Sequence, residues 1–96
     1  YKKIILYLNM DKNVLELRTL LDNIDNNILQ LLEERMDIVR QVGDIKLEFN
    51  IPIEDIRREE KIIKKLKNIS KNNLTKSQLK KIFQTIFNFS KIEQNH

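Results

Sequence analysis

Residues 14–46 read VLELRTLLDNIDNNILQLLEERMDIVRQVGDIK, and this stretch decides the fold. Its apolar side chains recur at steps of three and four residues, at Val14, Leu17, Leu21, Ile24, Ile28, Leu31, Ile38, Val42 and Ile45. The spacing predicts one continuous amphipathic helix, beginning near Asn13 with Glu16 as its capping partner and ending near Leu47. Such a helix would be about 50 Å long, whereas a compact chain of this size has a radius of gyration of about 12 Å. We therefore expect it to pack against a second chain.

The remainder of the chain predicts two further helices and no strand. Residues 48–52 interrupt the pattern, and a second helix is expected from about Pro52 to about Lys71, since proline is tolerated in a first turn. Thr75 and Gln78 have the spacing of a capping box for a third helix that ends near Gln94. The fold class predicted is all-α, with three helices per chain and a long first helix. The lone glycine, Gly43, lies inside the first helix and indicates close helix packing.

A positive charge interrupts the apolar stripe of the first helix at Arg35. An arginine facing a core needs an anion, and an ion pair within the protein is the usual solution. Lys46 follows 11 residues later, about three turns and about 16 Å along the helix, and returns to the same face. Arg18 lies about 25 Å from Arg35 along the axis and is rotated from it by about 100°, so both cannot hold one small molecule within a subunit. Arg35 and Lys46 together favour a shared anionic ligand, and Arg18 would serve a neighbouring chain.

Polar residues also share a face on each of the other helices. Asp55, Arg58 and Glu59 have i, i+3 and i+4 spacing. They fit either a solvated salt-bridge cluster or a binding site, and the motif alone does not decide. On the third helix, Ser90 and Gln94 continue a stripe of phenylalanines, and each viewed singly is an ordinary residue for a helix end.

Composition limits the chemistry that this chain could perform. It has 96 residues, no cysteine and one histidine, His96, at its last position. We expect no metal site, no thiolate nucleophile and no histidine acid–base catalysis. The opening apolar run is too short for a membrane span, so no membrane partner is expected. We expect a domain over residues 11–96, with residues 1–10 an N-terminal extension or a cloning remnant.

The order and spacing of these motifs resemble the all-helical chorismate mutase family, from about Leu17 to Gln94. The segments that carry the resemblance are Leu17-Arg18, Asp22 and Asp25, Leu31 to Arg35, Val42 to Lys46, Pro52 to Glu59, and Phe83 to Gln94. The resemblance implies rearrangement of chorismate to prephenate in the biosynthesis of phenylalanine and tyrosine, a reaction for which we expect no cofactor. It also implies an intertwined antiparallel helical homodimer with two equivalent sites, and a cytoplasmic enzyme.

The same resemblance implies a role for each polar residue. Arg35, with Ser90, would bind one substrate carboxylate, and Arg18 from the other subunit would bind the second. Lys46 and Gln94 would donate hydrogen bonds to the ether oxygen of the breaking bond.

Three residues of the second helix would complete this implied site. Glu59 and the backbone of Asp55 would hold the ring hydroxyl, and Arg58 would complete the charged lining. The catalytic set would then comprise Lys46, Gln94, Glu59 and Arg35.

Two alternative functions remain open at this stage. A lyase on the same scaffold, which splits isochorismate into salicylate and pyruvate, would bind a similar dianion. A helical nucleic-acid-binding module is the second alternative. The chain has a net charge of +4, and residues 61–92 contain nine lysines and no acidic residue, as such a module would require. These lysines alternate with apolar residues and lack interleaved aromatics, so a solvated basic surface explains them better, and we expect no nucleic-acid partner.

Overall fold

The computed structural model describes the backbone of residues 2–95 and the side chains of residues 12–95. This part of the chain forms three helices, α1 (Lys2–Glu48), α2 (Ile56–Ile69) and α3 (Lys76–Gln94), and contains no strand. The predicted all-α fold with a long first helix is confirmed. The chain divides into two compact units, Tyr1–Arg35 and Met36–His96, and α1 contributes residues to both.

The predicted start of α1 near Asn13 is wrong, because the helix already includes Lys2. Residues 2–12 contain neither glycine nor proline, so nothing in the local sequence stops the helix from extending. The expectation that residues 1–10 are an extension stays a prediction, since their side chains lie outside the described residues, as does His96.

The C-terminal end of α1 is closed by a left-handed turn at Asn50, with φ of 55°. The backbone N–H of Ile51 donates to the Lys46 carbonyl at 2.8 Å, and that of Asn50 to the Leu47 carbonyl at 3.4 Å. This pair of bonds is a Schellman motif, and asparagine is one of the few residues that adopt the left-handed conformation readily. The helix ends at Glu48, one residue beyond the prediction.

Helix α2 begins later than predicted. Its N-cap is Asp55, whose side chain accepts the backbone N–H of Arg58 at 3.0 Å, and Pro52 lies outside the helix. The aspartate side chain accepts a hydrogen bond from a first-turn N–H that would otherwise be unpaired. Pro52 has no side-chain acceptor and cannot cap a helix in this way. At the other end, α2 stops at Ile69, two residues before the predicted position, with Ser70 as an extended C-cap.

The predicted capping box of α3 is confirmed. Thr75 Oγ1 accepts the backbone N–H of Gln78 at 3.1 Å, and the Gln78 side chain accepts the backbone N–H of Thr75 at 2.9 Å. The helix runs to Gln94, as predicted.

The core of the second unit is small. Helices α2 and α3 pack together, and the buried apolar side chains are Val39 on α1, Ile63 on α2, and Leu79 and Phe87 on α3. The rings of Phe83 and Phe87 have their centroids 6.0 Å apart in a tilted arrangement. Six of the eight predicted site residues belong to this unit, namely Lys46, Asp55, Arg58, Glu59, Ser90 and Gln94.

The first unit leaves its apolar stripe uncovered. Nine large apolar side chains of this unit are each between 43% and 64% exposed, namely Val14, Leu15, Leu17, Leu20, Leu21, Ile24, Ile28, Leu29 and Leu31. An exposed patch of this extent marks an interaction surface in most proteins. None of the helices in the described part of the chain combines the length and apolar character that crossing a bilayer requires.

Candidate active site

A cavity of about 270 Å³ brings Lys46 and Gln94 together. It lies between the last turn of α1, the segment that follows it and the end of α3, and is lined by Gly43, Lys46, Leu47, Asn50, Ile51, Ile53, Gln94 and Asn95. The half-buried Lys46 ammonium donates to the Ile53 carbonyl at 2.9 Å. An ammonium has three N–H donors, so this bond fixes the group while leaving donors for a ligand.

The Gln94 side chain has an unsatisfied polar atom. Its Oε1 is buried and has no hydrogen-bond partner among the described residues. A buried polar group without a partner is costly, and such groups in native proteins often belong to sites that a ligand or water completes. A half-turn of the amide exchanges its oxygen and its NH₂, so this position supplies either an acceptor or two donors.

Gly43 is what allows α1 and α3 to meet at this cavity. A Cβ at residue 43 would lie 2.5 Å from the carbonyl oxygen of Gln94 and 2.7 Å from its Cα, closer than real atoms approach. The predicted packing role of Gly43 is therefore confirmed. Beside it, Arg40 Nε donates to Glu93 Oε2 at 2.8 Å and forms a second link between the two helices.

Glu59 lies in α2 with its side chain only 16% exposed. Its Oε2 atom is buried and accepts no hydrogen bond from the described residues. The ammonium of Lys91 lies 3.4 Å from this oxygen and donates to Glu54 Oε1 at 3.1 Å. The hydrogen bond to Glu54, with a further contribution from Glu59, raises the pKa of Lys91 above its ordinary value, although desolvation opposes the shift. Glu59 is thus a mostly buried carboxylate beside a cation, and both line a groove between α2 and α3 rather than the cavity of Lys46 and Gln94.

Asp55, Arg58 and Ser90 are the remaining predicted residues of the second unit, and the side chains of two of them make hydrogen bonds within the chain. The Asp55 carboxylate caps α2, so its side chain is engaged and its backbone is what remains for a ligand, while Arg58 is exposed. Ser90 is only 5% exposed, and its hydroxyl donates to the Ile86 carbonyl at 2.7 Å. Its proton is committed to its own helix, so binding a carboxylate requires that bond to be exchanged.

The two predicted carboxylate-binding arginines lie in the first unit, on the other part of α1. Arg18 is exposed and Arg35 is half-buried. The roles assigned to both stay predictions, as do those of Ser90, Asp55 and Arg58.

Lys91 is the residue that the sequence interpretation missed. The sequence predicts a solvated lysine at this position, as for the other lysines of residues 61–92. In the structure its side chain is only 27% exposed and contacts two carboxylates. The only signal in the sequence is its position, directly after Ser90 and one turn before Gln94. Its partners lie far away along the chain, so no local pattern identifies them.

Comparisons with known proteins agree on one family. The model of the family described as chorismate mutase type II matches residues 17–95. The chorismate mutase of Methanocaldococcus jannaschii is 35% identical over 86 residues, which cover 88% of this chain and 87% of that protein.

The other relatives are longer proteins. The bifunctional chorismate mutase/prephenate dehydratase of Buchnera aphidicola subsp. Schizaphis graminum is 39% identical over 83 residues, covering 85% of this chain and 22% of that protein. The enzyme of the same name from Aquifex aeolicus is 41% identical over 56 residues, covering 58% of this chain and 16% of that protein. The chain therefore spans about a fifth of the length of these bifunctional relatives.

The approach of Gly43 to Gln94 predicts that Gly43→Ala destabilises the protein by about 1–3 kcal/mol, as overpacking does elsewhere. Alanine favours helix by up to about 1 kcal/mol over glycine, but here the new methyl group meets backbone atoms that cannot move independently. The midpoint of urea unfolding measures the change. Gln41→Ala, an exposed substitution in the same helix, is the control and should stay within about 0.5 kcal/mol of the wild type. A Gly43→Ala variant more stable than the wild type would contradict the close packing.

Proposed function

Because this chain belongs to the chorismate mutase type II family, we propose that it converts chorismate to prephenate in the biosynthesis of phenylalanine and tyrosine. The observation that carries the proposal is the cavity shared by Lys46 and Gln94. These are the two residues that the mechanism needs at the breaking bond, and they come from different helices.

The reaction suits a chain of this composition. It is an intramolecular rearrangement in which one carbon–oxygen bond breaks while one carbon–carbon bond forms, so it needs no nucleophile, cofactor or obligatory proton transfer. It does need the substrate in a compact conformation and stabilisation of the negative charge that grows on the ether oxygen. Preorganised donors in a desolvated pocket provide such stabilisation.

Lys46 and Gln94 supply these donors in our proposal. The contact with the Ile53 carbonyl holds the ammonium of Lys46 in place before substrate binds. The Gln94 Oε1 atom is buried and has no hydrogen-bond partner among the described residues. To donate a hydrogen bond to the ether oxygen, the amide must turn its NH₂ group toward the substrate. Lys46 is thus positioned by the protein before substrate binds, which limits the reorganisation needed at the moment of reaction.

Recognition of the substrate dianion falls to the remaining residues. We assign one carboxylate to Arg35 with Ser90 and the other to Arg18 of a second subunit, because the planar guanidinium matches carboxylate geometry with two parallel bonds. Glu59 accepts the ring hydroxyl with its available oxygen, the backbone of Asp55 assists, and Arg58 lines the site.

The dimer that this assignment requires is supported by the surface of the chain. Residues 12–35 expose the apolar stripe of α1 and carry five acidic and three basic residues. Between α2 and α3 lies a groove of about 610 Å³ that includes Ile63 and Phe87. Four lysines and three glutamates also line it, with a net charge of +1, namely Lys64, Lys76, Lys80, Lys91, Glu54, Glu59 and Glu60.

Apolar complementarity suggests which surfaces meet, and the net charges of +1 in the groove and −2 on residues 12–35 favour the same pairing. In our proposal, α1 of one copy lies along this groove of the other, so the homodimer is antiparallel and intertwined. We further propose that the catalytic domain spans residues 11–96 and works in the cytoplasm, which suits a chain without cysteine.

The first test is direct. Purified protein mixed with chorismate should yield prephenate, identified as the product while chorismate absorbance falls. Lys46→Ala should lower the rate by about 100-fold or more, since it removes a donor to the developing charge. Lys65→Ala, an exposed lysine of α2, is the matched control and should retain wild-type activity.

Other products would contradict the proposal in distinct ways. Salicylate and pyruvate formed from isochorismate, without turnover of chorismate, would favour the lyase. Tight binding of DNA or RNA that weakens steeply with salt, again without turnover, would favour the nucleic-acid module.

The proposed role of Gln94 as a hydrogen-bond donor leads to a prediction about how activity depends on pH. An amide donates at any ordinary pH, whereas a carboxylic acid, with an ordinary pKa of about 4.3, donates only when protonated. Gln94→Glu should therefore lose activity at neutral pH and regain part of it as the pH falls. The pH profile of kcat/KM measures this, and an unchanged profile would remove Gln94 from the site.

If each site takes Arg18 from one subunit and Lys46 from the other, two inactive variants should restore activity when their subunits are mixed. Arg18→Ala and Lys46→Ala homodimers should each be nearly inactive, because both of their sites lack one group. After random subunit exchange about half of the dimers are hybrids with one intact site, so the mixture should regain about a quarter of wild-type activity. Turnover before and after exchange measures this, and circular dichroism checks that both variants fold. No gain on mixing would show that each site is built from one chain.

A further inference from the structure

Lys91 holds an unusual position in the second unit. It lies on α3 between Ser90 and Gln94, and its ammonium contacts Glu54 at 3.1 Å and Glu59 at 3.4 Å. The two carboxylates differ in environment, because the side chain of Glu54 is 64% exposed and that of Glu59 is 16% exposed. One cation therefore connects a solvent-facing acid to a mostly buried one.

We propose that Lys91 is a positioning residue for Glu59, holding its carboxylate in the orientation that accepts the ring hydroxyl of the substrate. This inference rests on the proposed function. The hydrogen bond to Glu54 tethers the lysine at the surface, and the ammonium then constrains the buried carboxylate from one side. Lys91 itself does not contact the reacting atoms.

The geometry at Glu59 distinguishes this role from that of an ordinary surface ion pair. A mostly buried carboxylate is costly unless a cation accompanies it, and Lys91 is the partner that the structure gives it. Yet Oε2 accepts no hydrogen bond among the described residues, so its capacity to accept one is retained. The lysine lies beside this same oxygen, but a carboxylate oxygen can accept more than one hydrogen bond, so Glu59 can still accept a hydroxyl.

Charge balance provides a second reason. Glu54 and Glu59, which line the groove between α2 and α3, carry two negative charges that would repel a dianion, and Lys91 offsets part of that repulsion. The same groove is also lined by Glu60, Lys64, Lys76 and Lys80, so its net charge is +1 with Lys91 and zero without it.

The experiment separates positioning of the hydroxyl acceptor from a general effect on the fold or on charge. It compares chorismate with the analogue whose ring hydroxyl is replaced by hydrogen, in the wild type, Lys91→Met and Lys91→Arg. Lys91→Met should lower kcat/KM for chorismate about 10-fold, the loss expected when a charge-assisted hydrogen bond is weakened. It should change kcat/KM for the analogue far less, and Lys91→Arg should restore much of the selectivity for the hydroxyl.

Two controls make the result specific. Lys81→Met, an exposed lysine on the same helix, should leave both substrates unaffected. In a Glu59→Gln background, Lys91→Met should cause little additional loss, because its target is already altered. A folded Lys91→Met variant that keeps wild-type selectivity, or that loses both substrates equally, would overturn the inference while leaving the proposed function intact. A wild-type protein that converts neither compound would overturn the proposed function, and the inference with it.

Discussion

The contact of Gly43 with the backbone of Gln94 is the constraint on which the rest of the second unit depends. Only a residue without a side chain lets α1 come this close to the end of α3. Lys46 lies three residues after Gly43, and Gln94 is the residue that Gly43 contacts, so one close approach brings both side chains to the same cavity. The placement of these two polar side chains thus follows from the absence of a methyl group, and the Arg40–Glu93 ion pair reinforces it.

Lys46 and Glu59 share a pattern, since each has one polar contact and keeps capacity for another. Lys46 donates to a backbone carbonyl, and Glu59 has a cation beside it and an oxygen that accepts no hydrogen bond in the described residues. Groups arranged in this way need little reorganisation when a ligand arrives, which is how a site accelerates a rearrangement that requires only conformation and charge stabilisation. The arrangement explains how a chain without cysteine could be a catalyst.

Local features of this structure were predictable from the sequence because their partners lie within a few residues. The Thr75–Gln78 box, the end of α1 beside Asn50 and Pro52, and the helical period of residues 14–46 are all of this kind. The errors were local as well, since the start of α1 and the cap of α2 depended on choosing among several competing signals. The spacing of Asp55, Arg58 and Glu59 predicts a shared polar face, whereas the Asp55 side chain caps the helix and thereby sets where α2 begins.

The sequence by itself determined the helical class, the order of the motifs and the residue types that a dianion site requires, because periodicity and charge are properties of the chain. The tertiary structure alone decided which of these residues meet. It placed Gln94 against Gly43 and gave Glu59 its cation in Lys91, 32 residues away along the chain. Contacts of this length depend on how the helices pack, and packing is decided by shape complementarity across the whole unit, which no short stretch of sequence encodes.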